Sequence, residues 1–159
     1  MSELFTHSQK EALSKLMKYC AYQERCHAEV EEKLSTFGLS EEESGEVIIA
    51  LTRGGFLDEE RFARSFVRGK FRIKKWGRRK ILQELKLKKI SEYCVQKGFE
   101  EIDDIEYEAC LRGLAERQWE KLKKEKNIWI RRKKTGSYLL QKGYEPEYIN
   151  PLLAELAQV

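Results

Sequence analysis

A chain of 159 residues has room for one domain or a few small units, and at 41% hydrophobic and 36% charged it can bury a core under a densely charged surface. Two prolines and ten glycines argue against a loop-rich β protein, while abundant Glu, Lys, Leu and Arg favour helices. No run approaches the ~20 apolar residues of a membrane span, and the N-terminus lacks the basic region and apolar run of a secretory signal.

Ser8-Gln9-Lys10-Glu11 fits a capping box, in which a hydroxyl and a carboxylate satisfy orphan N–H groups, and predicts the first helix. Ser40 to Glu43 repeats the pattern. Between them, Cys20 and Cys26 open a cysteine set completed by Cys94 and Cys110. None has CxxC spacing, and Cys26-His27 lacks a second pair to complete a zinc site, so all four read as free thiols suited to a reducing cytoplasm. His27 beside Cys26 does not make a catalytic dyad, because sequence neighbours on a helix diverge. Nor does Gly54-Gly55 or Gly77 have the spacing of a phosphate loop. The expectation is a protein with no catalytic residue, metal or cofactor.

Asp58, followed by Glu59 and Glu60, suits a helix start, and from there the charge inverts. Residues 1–60 carry 6 basic and 13 acidic side chains; residues 61–90 carry 13 basic and one acid, Glu84. The next block, 91–116, is acidic again, and 117–134 is basic. At ~100° per residue, Phe62, Phe66, Gly69 and Ile73 share one side of a helix over 61–75, with Arg61, Arg64, Arg68, Arg72 and Lys75 on the other. Trp76-Gly77 reads as an elbow. On the following helix Ile81, Leu82 and Leu85 face one way. Phe62, Phe66, Ile81, Leu82 and Leu85 are therefore expected in the core, with Phe56 and Leu57 at a junction. The stripe residues Arg64, Arg68, Arg72, Lys75 and Arg79 are expected to be exposed, and Trp76, Trp119 and Trp129 to be core or elbow residues. Twelve net charges self-repel, whereas a purely structural face mixes signs, so the stripe points to a polyanionic or acidic partner.

No stretch alternates with period two, so the chain reads as all α. A helix ending in Leu34, Leu85 or Leu139 is followed in each case by a four-residue step and an apolar residue, Leu39, Ile90 or Tyr144. A cap-like residue comes next, Ser40, Ser91 or Glu145; Pro146 then suits a first helical turn. The near-fifty-residue period predicts three helices per unit in tandem, over 8–57, 58–104 and 105–159. Three unrelated helical hairpins are the alternative.

The stretch LTRGGFLDEERFARSFVRGKFRIKKWGRRKILQELKLKKIS, from Leu51 to Ser91, resembles the signature region of the RecX regulatory proteins. EVEEKLSTFGLS and YLLQKGYEPEYI resemble that family's first and third units more loosely. Lys89 stands where the family usually has Gly, so it must strain or turn differently; Gln141-Lys142-Gly143 departs from a common pair of arginines before the Gly. The resemblance implies three tandem three-helix repeats in an elongated, curved array. It also implies a cytoplasmic regulator that binds the RecA recombinase, above all its filament on DNA, and inhibits it in DNA repair, recombination and the SOS response. The partner-binding candidates are Arg61, Arg64, Arg68, Arg72, Lys74, Lys75, Arg78, Arg79 and Lys86. No a/d seam runs free across heptads, so a monomer is expected. Two other readings use the same cations: a free-standing nucleic-acid-binding module, and a helical scaffold with a solvated basic face. The acidic blocks favour a protein partner, because acids repel naked nucleic acid.

Overall fold

The computed structural model describes residues 4–158, which form α-helices and no strand. In chain order the helices are α1 (His7–Tyr22), α2 (His27–Leu34), α3 (Glu41–Arg53), α4 (Glu59–Arg72), α5 (Arg78–Leu87), α6 (Glu92–Phe99), α7 (Asp104–Lys121), α8 (Ile128–Lys142) and α9 (Pro146–Ala157). The all-α expectation holds. They gather into two compact units, one of residues up to Ser65 with Lys86–Gly98, the other of Phe66–Leu85 with the chain from Phe99 onward.

In the first unit α1, α2 and α3 pack on one another, around Leu16, Val30, Leu34, Val47, Leu51 and Leu57. The expected cap at Ser8 is displaced. Thr6 is the N-cap of α1, its Oγ1 accepting from Gln9 N at 3.1 Å while Gln9 Oε1 accepts from Thr6 N at 3.0 Å. Thr6 wins because Gln9, three residues on, reaches back and is itself buried, donating to the Glu43 carbonyl of α3. Ser40 caps α3 as expected, in a reciprocal box with Glu43. Asp58 caps α4, accepting from Arg61 N at 3.0 Å.

In the second unit α7, α8 and α9 pack on one another around Tyr107, Leu111, Leu139, Tyr144 and Ile149. α4 needs a correction. It buries Phe62, Ala63, Val67 and Phe71, leaves Phe66 half-buried, and ends at Arg72, so Ile73 lies in the following turn and is 79% exposed. The apolar stripe thus runs through 63, 67 and 71, not through 69 and 73. Ile81 and Leu85 of α5 are fully buried and Leu82 is half-buried.

Leu34, Leu85 and Leu139 are all buried, and four residues after each comes a left-handed residue: Gly38 (φ 68°), Lys89 (φ 60°) and Gly143 (φ 102°). The next residues, Leu39, Ile90 and Tyr144, lead to the caps of α3, α6 and α9. One turn geometry therefore occurs three times. Gly tolerates it freely, whereas Lys89 carries a Cβ into it at a cost of about 1 kcal/mol.

The second unit also contains a close backbone contact. The Gly77 N–H donates to the Lys142 carbonyl at 2.7 Å, and the Arg79 N–H to the Gly143 carbonyl at 2.9 Å. Two orphan amides at the start of α5 are thus satisfied by carbonyls at the end of α8. Only glycine permits it: a Cβ on Gly77 would lie 2.4 Å from the Gly143 backbone, and one on Gly143 would lie 2.4 Å from Lys80 Cβ. Gly77→Ala should cost roughly 2–3 kcal/mol in urea unfolding. Gly45→Ala on α3, whose added Cβ meets nothing within 4 Å, should instead gain about 0.5–1 kcal/mol. Similar values for the two would remove the contact from the fold's essentials. Lys89→Gly should raise stability by about 0.5–1 kcal/mol by relieving the left-handed turn; a loss would mean the turn is not strained.

Candidate interaction surface

The cations of α4 and α5 divide into engaged and unengaged groups. Arg61 Nε meets Glu24 at 2.6 Å, and its Nη2 donates to the Gly55 carbonyl. Arg64 is half-buried, not exposed as expected, with Nε 3.1 Å from Glu60. Arg68 Nη1 lies 2.7 Å from Glu101. These acids sit outside the window 61–90, so counting charges along the sequence missed them. Tertiary folding brings Glu24 and Glu101 back onto the stripe, and Glu60 lies one helical turn before Arg64.

Arg78 is held most firmly. Its guanidinium lies 3.9 Å from the Tyr107 ring centroid, 2.7 Å from Asp104 and 3.4 Å from Glu145. Its backbone N–H donates to the Tyr107 hydroxyl, which donates in turn to Glu145. Burial works against the Arg78 charge, but Tyr107 and Glu145 more than offset it and its pKa is raised. Burial, with Glu145 as acceptor, also pushes the Tyr107 phenol far above its ordinary range, so it stays a donor. Occupied in this way, Glu145 leaves α9 without a side-chain cap. Sequence spacing gave no sign of the cluster, whose members lie up to 67 residues apart.

Arg72, Lys74, Lys75, Arg79 and Lys86 are exposed, and among the described residues none of them has an acidic partner. Lys75 stands in the left-handed turn after α4, φ 58°, with its carbonyl accepting from the Tyr144 hydroxyl at 2.9 Å. The Lys74 carbonyl accepts from Lys142 Nζ. Both lysines are therefore fixed by their backbone while their ammonium groups stay in solvent. Trp76 is half-buried at the elbow, with Lys70 Nζ 4.8 Å and Lys80 Nζ 4.4 Å from its ring. Trp119 is half-buried under Arg131. Trp129, expected in the core or at an elbow, is 72% exposed at the start of α8.

No group of His, Cys, Asp and Glu suited to a metal occurs among the described residues. Cys20, Cys26 and Cys94 are buried, and burial raises each thiol's pKa, which makes them poor nucleophiles. No described helix is long and apolar enough to cross a membrane.

Arg78→Ala should cost about 1–3 kcal/mol in urea unfolding, since it strands Glu145 and the Tyr107 network. Arg72→Ala should stay within about 0.5 kcal/mol. Equal, small effects would mean that the Arg78 cluster is only a solvated surface pair.

The second three-helix domain of RecX matches residues 58–98, which hold α4 and α5, and the third matches 105–153; together they span more than half of the chain. Regulatory protein RecX of Prosthecochloris aestuarii is 29% identical over 147 residues, covering 92% of this chain and 94% of its own. Regulatory protein RecX of Lactobacillus johnsonii is 36% identical over 96 residues, 60% of this chain but only 35% of that longer relative. The crystal structure of RecX from Lactobacillus salivarius superposes with a TM-score of 0.84 at 22% identity, covering 96% of this chain and 98% of that one. These relatives are named as regulatory proteins, and the helical fold is shared with solved members. This chain belongs to the RecX family.

Proposed function

We propose that this protein binds the RecA recombinase, above all its filament on DNA, and restrains it in DNA repair and recombination. The observation that carries the reading is the set of exposed cations without acidic partners, Arg72, Lys74, Lys75 and Arg79, flanked in sequence by acidic blocks. Membership of a family of regulatory proteins supports it. A filament is nucleic acid wrapped in protein, so cations suit its phosphates or acidic protein surface, and the acidic blocks suit basic patches on protein subunits. Such matching accelerates association and fixes register more than it adds raw affinity. Arg61, Arg64, Arg68 and Arg78 orient the helices through their ion pairs, and the unengaged cations, Lys86 included, meet the partner. In this account the chain is a cytoplasmic monomer of three repeats, 8–57, 58–104 and 105–159, that acts by binding and not by catalysis.

The test compares recombinase-coated DNA, bare DNA and free recombinase in parallel binding assays. Arg72→Glu with Arg79→Glu should leave melting unchanged, since exposed charges contribute little to folding. Filament binding should weaken by about tenfold or more, and by more than any loss on bare DNA. If the double reversal binds and restrains the filament as well as the parent does, the stripe is a solvated face and the reading is wrong.

A further inference from the structure

We infer that the second unit carries a self-complementary contact, in which Trp129 of one copy of the chain seats in an acidic, apolar groove between α7 and α9 of another copy. The groove has a volume of about 620 Å³. Its two helices run side by side in the same direction. Arg78 spans Asp104 and Glu145 at their starts, and Arg112 meets Glu155 at 2.8 Å further along both. Ile105, Ala109, Tyr148, Pro151 and Leu152 give the groove an apolar lining. All of these but Leu152 are exposed, Ile105 to 79%. Glu108 and Glu147 also line it, exposed and, among the described residues, without a cationic partner. The one cation in the lining, Arg112, is engaged by Glu155.

The matching feature lies at the start of α8. Ile128, Trp129 and Ile130 are three consecutive exposed apolar residues, Trp129 the most exposed, a run that a surface seldom carries without a partner. It is presented on a fixed turn, because Asn127 Oδ1 accepts from the Trp129 and Ile130 N–H groups at 3.0 and 3.3 Å. Lys124, Lys126, Lys133 and Lys134 flank it in sequence, all exposed and, among the described residues, without an acidic partner. An apolar knob among lysines thus matches an apolar groove with free glutamates, in hydrophobicity and in sign.

A copy does not fill its own groove. From Ala109 to Trp119, α7 rises about 15 Å at 1.5 Å per residue. Arg131 holds the start of α8 at that far end, its guanidinium donating to the Trp119 carbonyl at 3.0 and 2.7 Å. Each copy therefore offers one knob and one groove to its neighbours. The contact is small, since an indole buries ~150–250 Å² against the ~1,200–2,000 Å² of a stable complex. The dilute chain stays monomeric, and the contact forms where copies are crowded or held side by side, as on one filament. That last consequence rests on the proposed function; the contact itself does not.

The experiment is sedimentation of the full chain, without recombinase or nucleic acid, from micromolar to millimolar concentration. The parent should be a monomer when dilute and associate as concentration rises. Trp129→Ala, which removes the knob, and Glu108→Lys with Glu147→Lys, which reverses the groove, should each weaken association by about tenfold or more. Circular dichroism and melting confirm that each variant folds, as changes to exposed side chains should allow. The two variants mixed should pair, because one keeps its groove and the other keeps its knob. A parent that stays monomeric to millimolar concentration overturns the inference and leaves the groove to a different protein. So does undiminished association of the folded Trp129→Ala and Glu108→Lys/Glu147→Lys variants. A parent that associates while the mixture does not pair overturns the seating of Trp129 in this groove. None of these results bears on the filament assay of the Arg72/Arg79 variant, so the two proposals stand or fall separately.

Discussion

The second unit depends on a contact that contains no side chain. At Gly77 and Gly143 two backbones approach closely enough for the first amides of α5 to use the last carbonyls of α8 as their acceptors. The helix termini so joined bring the positive end of one dipole to the negative end of the other. Tyr144 and Lys142, on either side of Gly143, then tie the carbonyls of Lys75 and Lys74, and Arg78, one residue past Gly77, enters the Tyr107–Glu145 cluster. The segment joining α4 to α5 is fixed from below, which leaves its lysines and Arg79 directed into solvent without any need for neutralising acids.

That arrangement explains why one run of cations has two kinds of members. Arginine's planar guanidinium stacks on aromatics and pairs in fixed geometry, so Arg61, Arg64, Arg68 and Arg78 serve the fold. The exposed pairs at Arg61 and Arg68 add little stability each, whereas the half-buried Arg78 cluster adds more. Charges left over are concentrated around the elbow and the start of α5. Their mutual repulsion is an unfavourable term in the free protein, and a polyanionic partner would turn it into an attraction.

Much of the fold was legible. Caps at Ser40 and Asp58, the first-turn Pro146, the elbow at Gly77 and the threefold step after Leu34, Leu85 and Leu139 all carry local signals with a direct physical cause. The left-handed turn at Lys89 was visible as an anomaly and is present as one. The failures are equally physical. The α4 stripe was misplaced because Ile73 was counted into a helix that ends at Arg72; a helical wheel knows nothing of where the helix stops. Thr6 took the cap from Ser8 because Gln9 is tied to α3, a tertiary fact. Glu24 and Glu101 lie far from the cations they meet, so charge counting along the chain overstated how many were unpaired. Trp129 was expected in the core or at an elbow, and nothing local to it says that its neighbours would leave it in solvent.

The most direct measurement is the salt dependence of binding by the unmodified protein to intact recombinase–DNA filaments. If Arg72, Lys74, Lys75 and Arg79 meet phosphates or acidic groups, log Kd should rise linearly with log salt, with a slope of about 3. A Kd that hardly changes across the same range, with filaments intact throughout, would contradict the account, because binding would then rest on contacts that the cationic surface does not make.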